Sequence, residues 1–330
     1  MSLNIQKVGM IMTKHLFNYC SIDWYEQELN KLGINLNTYT RLLKLDGIEQ
    51  LIYSNDIALK YKDLTIGTHL RYWPYWLDFW WGNTSRLEKI FPQDKNQQNL
   101  YKIYQAKDKY TWLEVIKDNI RHALALEPQY IVWHVSEANN EEIFTYDFHY
   151  TNKEVLSATS EVFNEVMSII PENTLVLFEN LWWPGLTLRN REEVGYFFDK
   201  LQHKNVGIML DTGHLMNTNT KLTTQHEALR FLDKTINNLG TEKKLIKGMH
   251  LNCSLSGKYQ QSFKHEQPLN LVDKMIWQHI IQIDKHDIFT THEIKDFITE
   301  INPEFVVHEL CYDSLIDLKN KLNIQLACCR

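Results

Sequence analysis

The sequence has few of the residues that interrupt regular structure, with 12 Gly and 7 Pro among its 330 residues. This composition, which is 44% hydrophobic, is not that of a fibrous protein and argues against disorder as the main state. The five cysteines are scattered, and none of them forms a CxxC pair. The sequence therefore predicts neither a disulfide framework nor a thiolate zinc site.

Long apolar runs are also absent, because no stretch reaches the roughly 18 uncharged apolar residues that a membrane span needs. The first residues, MSLNIQKVGMIMTKH, lack the hydrophobic region and cleavage site of a signal peptide. We therefore expect a cytoplasmic protein with no membrane partner. Acidic residues outnumber basic ones by 41 to 35, which argues against nucleic acid as a partner, since phosphate capture needs a basic surface.

Short β-branched and apolar runs alternate with longer amphipathic stretches, as is typical of an α/β protein with a parallel sheet. No GxGxxG turn follows any of these runs, which disfavours an open doubly wound sheet. We expect a (β/α)8 TIM barrel that forms one domain over residues 1–330, with long loops after the third and seventh strands. The eight predicted strands are KVGMIMT from Lys7, TYTRLL from Thr38, TIGTHLR from Thr65, YIVWHVS from Tyr130, TLVLFEN from Thr174, VGIMLDT from Val206, KGMHLN from Lys247 and FVVHEL from Phe305.

Histidines and carboxylates stand at or just past the ends of six predicted strands. In a barrel these ends meet at one mouth, so the side chains would converge. A mixed set of this kind suits Zn, Mn, Fe or Co, and it would be costly to bury unless paired or metal-bound. Any one of these residues alone is more typical of a core or surface position, so the site is inferred from their coincidence. The candidate ligands are His69, His134, Glu179, Asp211, His214, His250 and Glu309, with Asp284 and His286 as a further pair.

Four motifs make the chain resemble the xylose-isomerase-like TIM-barrel superfamily over essentially its whole length. They are FEN at Glu179, LDTGH from Leu210 to His214, MHLN at His250 and HEL at Glu309. In the isomerase and epimerase branch, the resemblance implies that Glu179, Asp211, His250 and Glu309 bind one divalent metal ion. It also implies that Glu179 and Glu309 move protons and that His214 contacts the substrate.

The endonuclease IV branch of the same superfamily implies a larger set of ligands and up to three zinc ions. His69, His134, His214, Asp284 and His286 would then join the four metal ligands of the other branch. One departure is that Asp284 lies further along the chain from His250 than the compact loop of that branch would place it. The ENL and GIMLDTGHL motifs are also similar to those of cobamide-remodelling phosphodiesterases, which act on a bulky cofactor.

Aromatic residues cluster beside two of the candidate ligands, in the run YWPYWLDFWW after His69 and in the Trp pair after Glu179. Because both groups leave strands at the same mouth, they predict a wall that stacks a ring-bearing substrate. Such clusters are equally typical of a subunit interface, so a homo-oligomer stays open. Nearby basic residues would contact an anionic group such as a phosphate. The candidate substrate-binding residues are Arg71, Trp73, Trp76, Trp182, Trp183 and Lys258.

Two reactions fit these residues. A multinuclear centre would activate water to attack the phosphorus of a small or cofactor-like phosphoester or phosphodiester. A mononuclear centre would instead support a sugar or sugar-phosphate isomerase or epimerase, with Glu179 and Glu309 moving the proton on carbon. The surplus of histidines favours the hydrolase, with Glu179, Glu309 and His214 as catalytic residues and zinc as the first expectation. A multinuclear iron oxidase acting on a peptide and an inactive barrel serving as a binding module are further alternatives.

Overall fold

The computed structural model describes residues 12–53, 57–91, 98–269 and 271–330. Its parallel strands form a closed barrel in which each strand pairs with the next and the last pairs with the first, so the predicted (β/α)8 fold is confirmed. The strands are β1 (Lys14–Cys20), β2 (Gly47–Ile52), β3 (Thr65–Leu70), β4 (Tyr130–His134), β5 (Leu175–Glu179), β6 (Val206–Asp211), β7 (Ile246–Leu251) and β8 (Phe305–His308).

Helices connect the strands, and the long connections after β3 and β7 contain several helices each. Among the residues that the structure describes, every helix is too short or too polar to span a bilayer. The α-helices are α1 (Asp23–Leu32), α2 (Leu36–Leu42), α3 (Leu77–Trp81), α4 (Thr84–Ile90), α5 (Gln98–Tyr104), α6 (Lys109–Leu124), α7 (Glu142–Thr145), α8 (Asn152–Val166), α9 (Arg191–Lys200), α10 (Thr212–Asn217), α11 (Gln225–Asn238), α12 (Gly257–Gln260), α13 (Asp273–Ile283), α14 (Glu293–Ile301) and α15 (Leu315–Cys329).

The alternation of side chains along the strands decides which residues enter the barrel. On β5, Leu175 and Leu177 pack inside the barrel, whereas Val176 and Phe178 pack outward against the helices. The two-residue period therefore turns Glu179, the last residue of the strand, to the inside. The same alternation on β4 and β8 places a polar residue beyond the apolar ones that fill the barrel. The interior of the barrel is therefore apolar, and its C-terminal mouth is polar.

The prediction of a strand at TYTRLL was wrong, because residues 36–42 form α2. The Asn35 side chain accepts a hydrogen bond from the backbone N–H of Thr38 at 2.9 Å and so caps the start of the helix. Leu36, Tyr39 and Leu43 are buried, which is a helical spacing. The β-branched threonines suggested a strand, but the cap and the apolar spacing decide the structure.

The first two strands of the barrel therefore lie elsewhere. The predicted strand from Lys7 falls mainly on residues 7–11, which lie outside the described residues, and Met12 and Thr13 are not in a strand. The first strand is β1, and the second is β2, whose sequence GIEQLI contains two polar residues that are both fully buried, Glu49 and Gln50. This shift matters for the site, because it brings Glu49 into the barrel.

We expect Gly67→Ala to destabilise the protein by about 1–3 kcal/mol, the usual cost of overpacking a core. A Cβ at Gly67 would lie 2.1 Å from Cζ of Tyr130, whose ring is fully buried. Urea unfolding measures the change. Gly195→Ala is the matched control, since no heavy atom lies within 4 Å of its Cβ position in α9, and it should stabilise the protein by about 0.5–1 kcal/mol. Equal effects of the two substitutions would contradict this packing account.

Candidate metal centre

The structure brings all nine predicted ligands together at the C-terminal mouth of the barrel and adds a tenth residue, Glu49. Their donor atoms form groups within which every atom lies within 4.8 Å of the others, the spacing that allows a metal ion to be shared. The groups are Glu179, Asp211, His250 and Glu309; His69, His134 and Glu179; His214, Asp284 and His286; and Glu49, His69 and His250.

Glu179, at the end of β5, contacts histidines of two of these groups. Its Oε2 lies 2.9 Å from Nε2 of His69 and 3.2 Å from Nε2 of His134. Its Oε1 lies 3.0 Å from Nδ1 of His250. One carboxylate therefore faces ligands from three other strands, and it belongs to two of the groups. This is the position that a carboxylate bridging two metal ions would occupy.

A second set of contacts centres on His250, whose Nδ1 also lies 3.1 Å from Oε2 of Glu309 and 3.9 Å from Oδ2 of Asp211. Asp211 is fixed from both sides, since its Oδ1 accepts the His214 backbone N–H at 2.6 Å and its Oδ2 accepts from the Asn252 amide at 3.0 Å. Gly213 of the LDTGH motif allows Asn252 to approach, because a Cβ there would lie 1.8 Å from the amide oxygen.

The distant pair Asp284 and His286 does reach the site. Oδ2 of Asp284 lies 3.3 Å from Nε2 of His214 and 2.6 Å from Nε2 of His286. The long connection after β7 is closed by two backbone hydrogen bonds between Cys253 and Asp287, at 2.8 and 3.1 Å. This antiparallel bridge returns the chain to the end of β7, so the long insertion between them does not separate these residues from the mouth.

In four of the five histidines, one ring nitrogen points at the carboxylates that the histidine shares with other ligands, and the other faces a separate acceptor. Metal-ligating histidines have this arrangement, because the outer N–H fixes the ring while the inner nitrogen binds the ion. The outer contacts are His69 Nδ1 to the Leu70 carbonyl at 3.0 Å, His214 Nδ1 to the Asn180 carbonyl at 2.8 Å, His286 Nδ1 to the Glu309 carbonyl at 3.1 Å and His250 Nε2 to the Glu49 carboxylate at 3.1 Å. The residues therefore fit divalent metal ions.

The charges of the centre also fit divalent metal ions. Every ion pair that its five carboxylates make, among the described residues, is with a histidine, and none is with Lys or Arg. Burial raises the pKa of Asp211 to about 7, although His214 opposes the shift. So many buried carboxylates need positive charge nearby, and among the described residues it is protonated histidines that are placed to supply it, as metal ions bound there would be.

The pKa directions of the histidines follow from these contacts. Burial alone would lower the pKa of His286, but the Asp284 carboxylate raises it to about 10. Burial is likewise outweighed at His250 and His214, whose carboxylate neighbours raise the pKa well above the ordinary value. At His134 burial prevails and lowers the pKa to about 3, so this ring stays neutral.

The sequence analysis did not identify two residues at the mouth, Glu49 on β2 and Tyr53 directly after it, because it assigned the second strand to the wrong residues. Glu49 is fully buried and accepts hydrogen bonds from His250 Nε2 at 3.1 Å, the Tyr130 hydroxyl at 2.8 Å and the Asn18 amide at 2.9 Å. Tyr53 lies just past β2 and is 55% exposed. Its pKa is nevertheless raised, mainly by partial burial of the hydroxyl and next by the charge of Glu309, as expected for a side chain in a concave mouth. A correct assignment of β2 would have indicated both residues.

The predicted substrate-binding residues occupy different surroundings. The Trp182 ring lies 5.2 Å from the His214 ring, directly beside the centre. Trp73, Trp76 and Trp183 are buried in hydrophobic clusters. Arg71 lines a pocket next to His134. Lys258 is exposed on α12 and makes no ion pair within the part of the chain that the structure describes.

We expect Glu49→Gln to weaken zinc binding by about 10–100-fold, the usual effect of removing a carboxylate that orients a metal-bound histidine. The change keeps the size of the side chain but removes the charge that faces His250. Competition with a chromophoric chelator measures the affinity. Glu28→Gln is the matched control, because Glu28 is also a buried glutamate but pairs with Lys31 on α1. An unchanged affinity in Glu49→Gln would show that Glu49 does not position His250.

Zinc binding at pH 7.5 should release about two or more protons, because ligand histidines must be neutral. The raised pKa values of His214, His250 and His286 mean that these rings hold an extra proton when no metal is bound. Because the pKa of His286 is raised to about 10, zinc affinity should still be increasing as the pH rises above 7.5. Calorimetry in buffers of different ionisation enthalpy counts the protons. Binding without proton release would be incompatible with these rings as ligands.

Comparison with known proteins agrees with this fold. The family model described as "Xylose isomerase-like TIM barrel" matches residues 105–322. A D-tagatose 3-epimerase-like protein has a similar structure, with 14% identity, a TM-score of 0.50 and coverage of 96% of this chain and 98% of that one. A 3-keto-D-glucoside 4-epimerase from E. coli is also similar, with 13% identity, a TM-score of 0.50 and coverage of 96% of this chain and 100% of that one.

The structure named AsfvAP:AG is similar to the same extent, with 13% identity, a TM-score of 0.51 and coverage of 96% of this chain and 97% of that one. No curated protein sequence matches the chain. At such low identities these likenesses show the fold alone. The family model spans well over half of the chain, and the chain therefore belongs to the xylose isomerase-like TIM barrel family.

Proposed function

We propose that the protein is a metal-dependent hydrolase that cleaves a phosphoester or phosphodiester of a small, cofactor-like substrate. The observation that carries the proposal is the set of three ligand groups that meet at one mouth, with Glu179 shared between two of them. The fourth group reuses His69 and His250, and its Glu49 is already occupied by three hydrogen-bond donors. We therefore assign up to three divalent ions, zinc first, to the other groups.

The three groups divide the ligands without conflict. His69, His134 and Glu179 would hold one ion, and Asp211, His250 and Glu309 would hold a second together with Glu179. His214, Asp284 and His286 would hold the third. Ions bound in this way lower the pKa of a water molecule and stabilise charge on phosphate oxygens.

The remaining chemistry belongs to residues at the mouth. Glu309 is 20% exposed, and its Oε2 receives no hydrogen bond within the described residues. As a ligand at the open side of the mouth, this carboxylate would also accept the proton of the attacking water. The Trp182 ring beside His214 and the exposed Tyr53 offer flat and hydroxyl-bearing surfaces for a ring-bearing substrate.

A sugar or sugar-phosphate epimerase with one metal ion is the second candidate. One observation favours it: Glu179 and Glu309 face Nδ1 of the same histidine, at 3.0 and 3.1 Å, which suits a pair of acids that move a proton on and off carbon. The named epimerases of similar fold agree with this alternative. It leaves His69, His134, Asp284 and His286 without a necessary role, and this surplus is why we rank it second.

Hydrolysis of bis(4-nitrophenyl) phosphate by the zinc-loaded protein tests the proposal. We expect release of 4-nitrophenol well above a zinc-only blank. Glu309→Gln should lower kcat by about 10²–10⁴-fold, the usual contribution of an acid or base. His286→Gln should lower kcat by about a hundredfold or more, because the variant loses a ligand of the third ion. An isomerase with one metal ion would not need this ligand.

The matched control is His292→Gln, because His292 is exposed and lies outside the centre; its activity should equal that of the parent protein. D-Tagatose is assayed in parallel as an epimerase substrate. Conversion of this sugar that survives His286→Gln, with no release of 4-nitrophenol by the parent protein, would contradict the hydrolase and favour the epimerase.

A further inference from the structure

Asn180 follows Glu179 directly, and its side chain continues the contact between β5 and β6 where the strand pairing ends. The last paired residues of the two strands are Glu179 and Met209. Beyond them, Oδ1 of Asn180 accepts the backbone N–H of Asp211 at 2.8 Å, and its Nδ2 donates to the Asp211 carbonyl oxygen at 3.0 Å. The amide group therefore bonds both backbone groups of Asp211, as the backbone of a longer β5 would.

The main chain of Asn180 contacts a ligand of a different group. Its carbonyl oxygen lies 2.8 Å from Nδ1 of His214. The same ring nitrogen lies 3.4 Å from Oε1 of Glu179 and 3.7 Å from Oδ1 of Asp211, so the Asn180 carbonyl is the nearest of the three acceptors. When the Nδ1–H is donated in this way, Nε2 remains for the ion, and it faces Oδ2 of Asp284 at 3.3 Å.

Asp211 extends the influence of Asn180 to the backbone of His214. Oδ1 of Asp211 accepts the His214 backbone N–H at 2.6 Å, and in this way it caps the first turn of α10, the helix that carries His214. The Asn180 side chain thus holds the residue that fixes the backbone of His214, while the Asn180 carbonyl holds the ring. One residue therefore constrains both the position and the orientation of this ligand.

Burial makes these contacts hard to replace. Asn180 and Asp211 are both 0% exposed, so bulk water cannot take the place of a lost partner. Without the amide, an N–H and a carbonyl of Asp211 would lose their hydrogen bonds in a poorly solvated place, where such a loss is costly. Asn252, the other amide beside Asp211, bonds its carboxylate rather than its backbone and so does not duplicate this role.

We propose that Asn180 is a positioning residue that ties the ligand group of His214, Asp284 and His286 to Glu179 and Asp211 of the other groups. This role rests on the metal centre proposed above. Asn180 offers no ligand atom itself, because its amide and its carbonyl are both bonded to protein groups. It acts by holding His214 so that Nε2 meets the ion together with Asp284 and His286.

Zinc titration of the metal-free, full-length protein against a chromophoric chelator tests this role. His214→Gln identifies the ion of the group, since that ion should be missing from it. Asn180→Ala should weaken the same ion by about 10–100-fold, the usual effect of removing a residue that orients a ligand. Asn164→Ala is the matched control, because the Asn164 amide also bridges two backbone groups, the Lys200 carbonyl at 2.9 Å and the Gln202 N–H at 3.0 Å. It should bind zinc as the parent protein does.

The ring proton of His214 gives a second measurement, which a general loss of stability would not reproduce. NMR of protein labelled with ¹⁵N-histidine distinguishes the two ring nitrogens, and His214→Gln assigns the signal. We expect a protected Nδ1–H in the parent, with and without zinc, and zinc bound through Nε2. In Asn180→Ala this proton should exchange with solvent about three- to tenfold faster, as expected for the loss of one hydrogen bond. Urea midpoints show that each variant is folded.

An unprotected Nδ1–H in the parent, or zinc bound through Nδ1 of His214, would overturn the proposal even if Asn180→Ala did not fold. Unchanged zinc affinity in Asn180→Ala would also overturn it, as would an equal loss in Asn164→Ala. The proposed hydrolase fails separately: a parent protein that binds zinc and releases no 4-nitrophenol would contradict the hydrolase while leaving the role of Asn180 intact.

Discussion

The concentration of buried carboxylates at the barrel mouth is the constraint on which the rest of the site depends. Strands β2, β5 and β6 each carry an acid that is almost fully buried, and none of these acids pairs with Lys or Arg in the described part of the chain. Such a cluster folds only if cations stand among the acids. Histidines supply them when no metal is bound, and we infer that metal ions replace their protons when the centre is filled.

The barrel provides the geometry for this exchange. Because every strand runs in the same direction, the alternation of side chains turns the last inward-facing residue of each strand to one mouth. Outward contacts then hold the ligands in place: the Asn252 amide fixes Asp211, and Glu49 fixes His250. Glu49 is itself held by Tyr130, which also fills the barrel floor. Packing of the core and orientation of the ligands are therefore coupled.

Much of this site could be predicted from the sequence, because most of its ligands end long apolar strands. The runs before His134, Glu179 and Asp211 are apolar enough to be assigned as strands without any tertiary information. Glu49 could not be found in the same way, since a glutamate and a glutamine in the middle of GIEQLI look unsuited to a buried strand. Glu49 is tolerated because His250 and Tyr130, which are distant in the chain, donate to it, and Gln50 because the Ala58 backbone N–H and the Thr65 hydroxyl bond to its amide. Asp284 was predicted as a candidate ligand, but the way it reaches the mouth could not be predicted, because it depends on the bridge between Cys253 and Asp287.

The central claim is that the three ligand groups form one multinuclear centre. Elemental analysis of zinc in the purified protein, after gel filtration removes loosely bound metal, tests it most directly. The account predicts close to three zinc ions per chain, one for each group, and the loss of one ion in the double variant Asp284→Asn, His286→Gln. One zinc ion per chain, retained in that variant, would contradict the account.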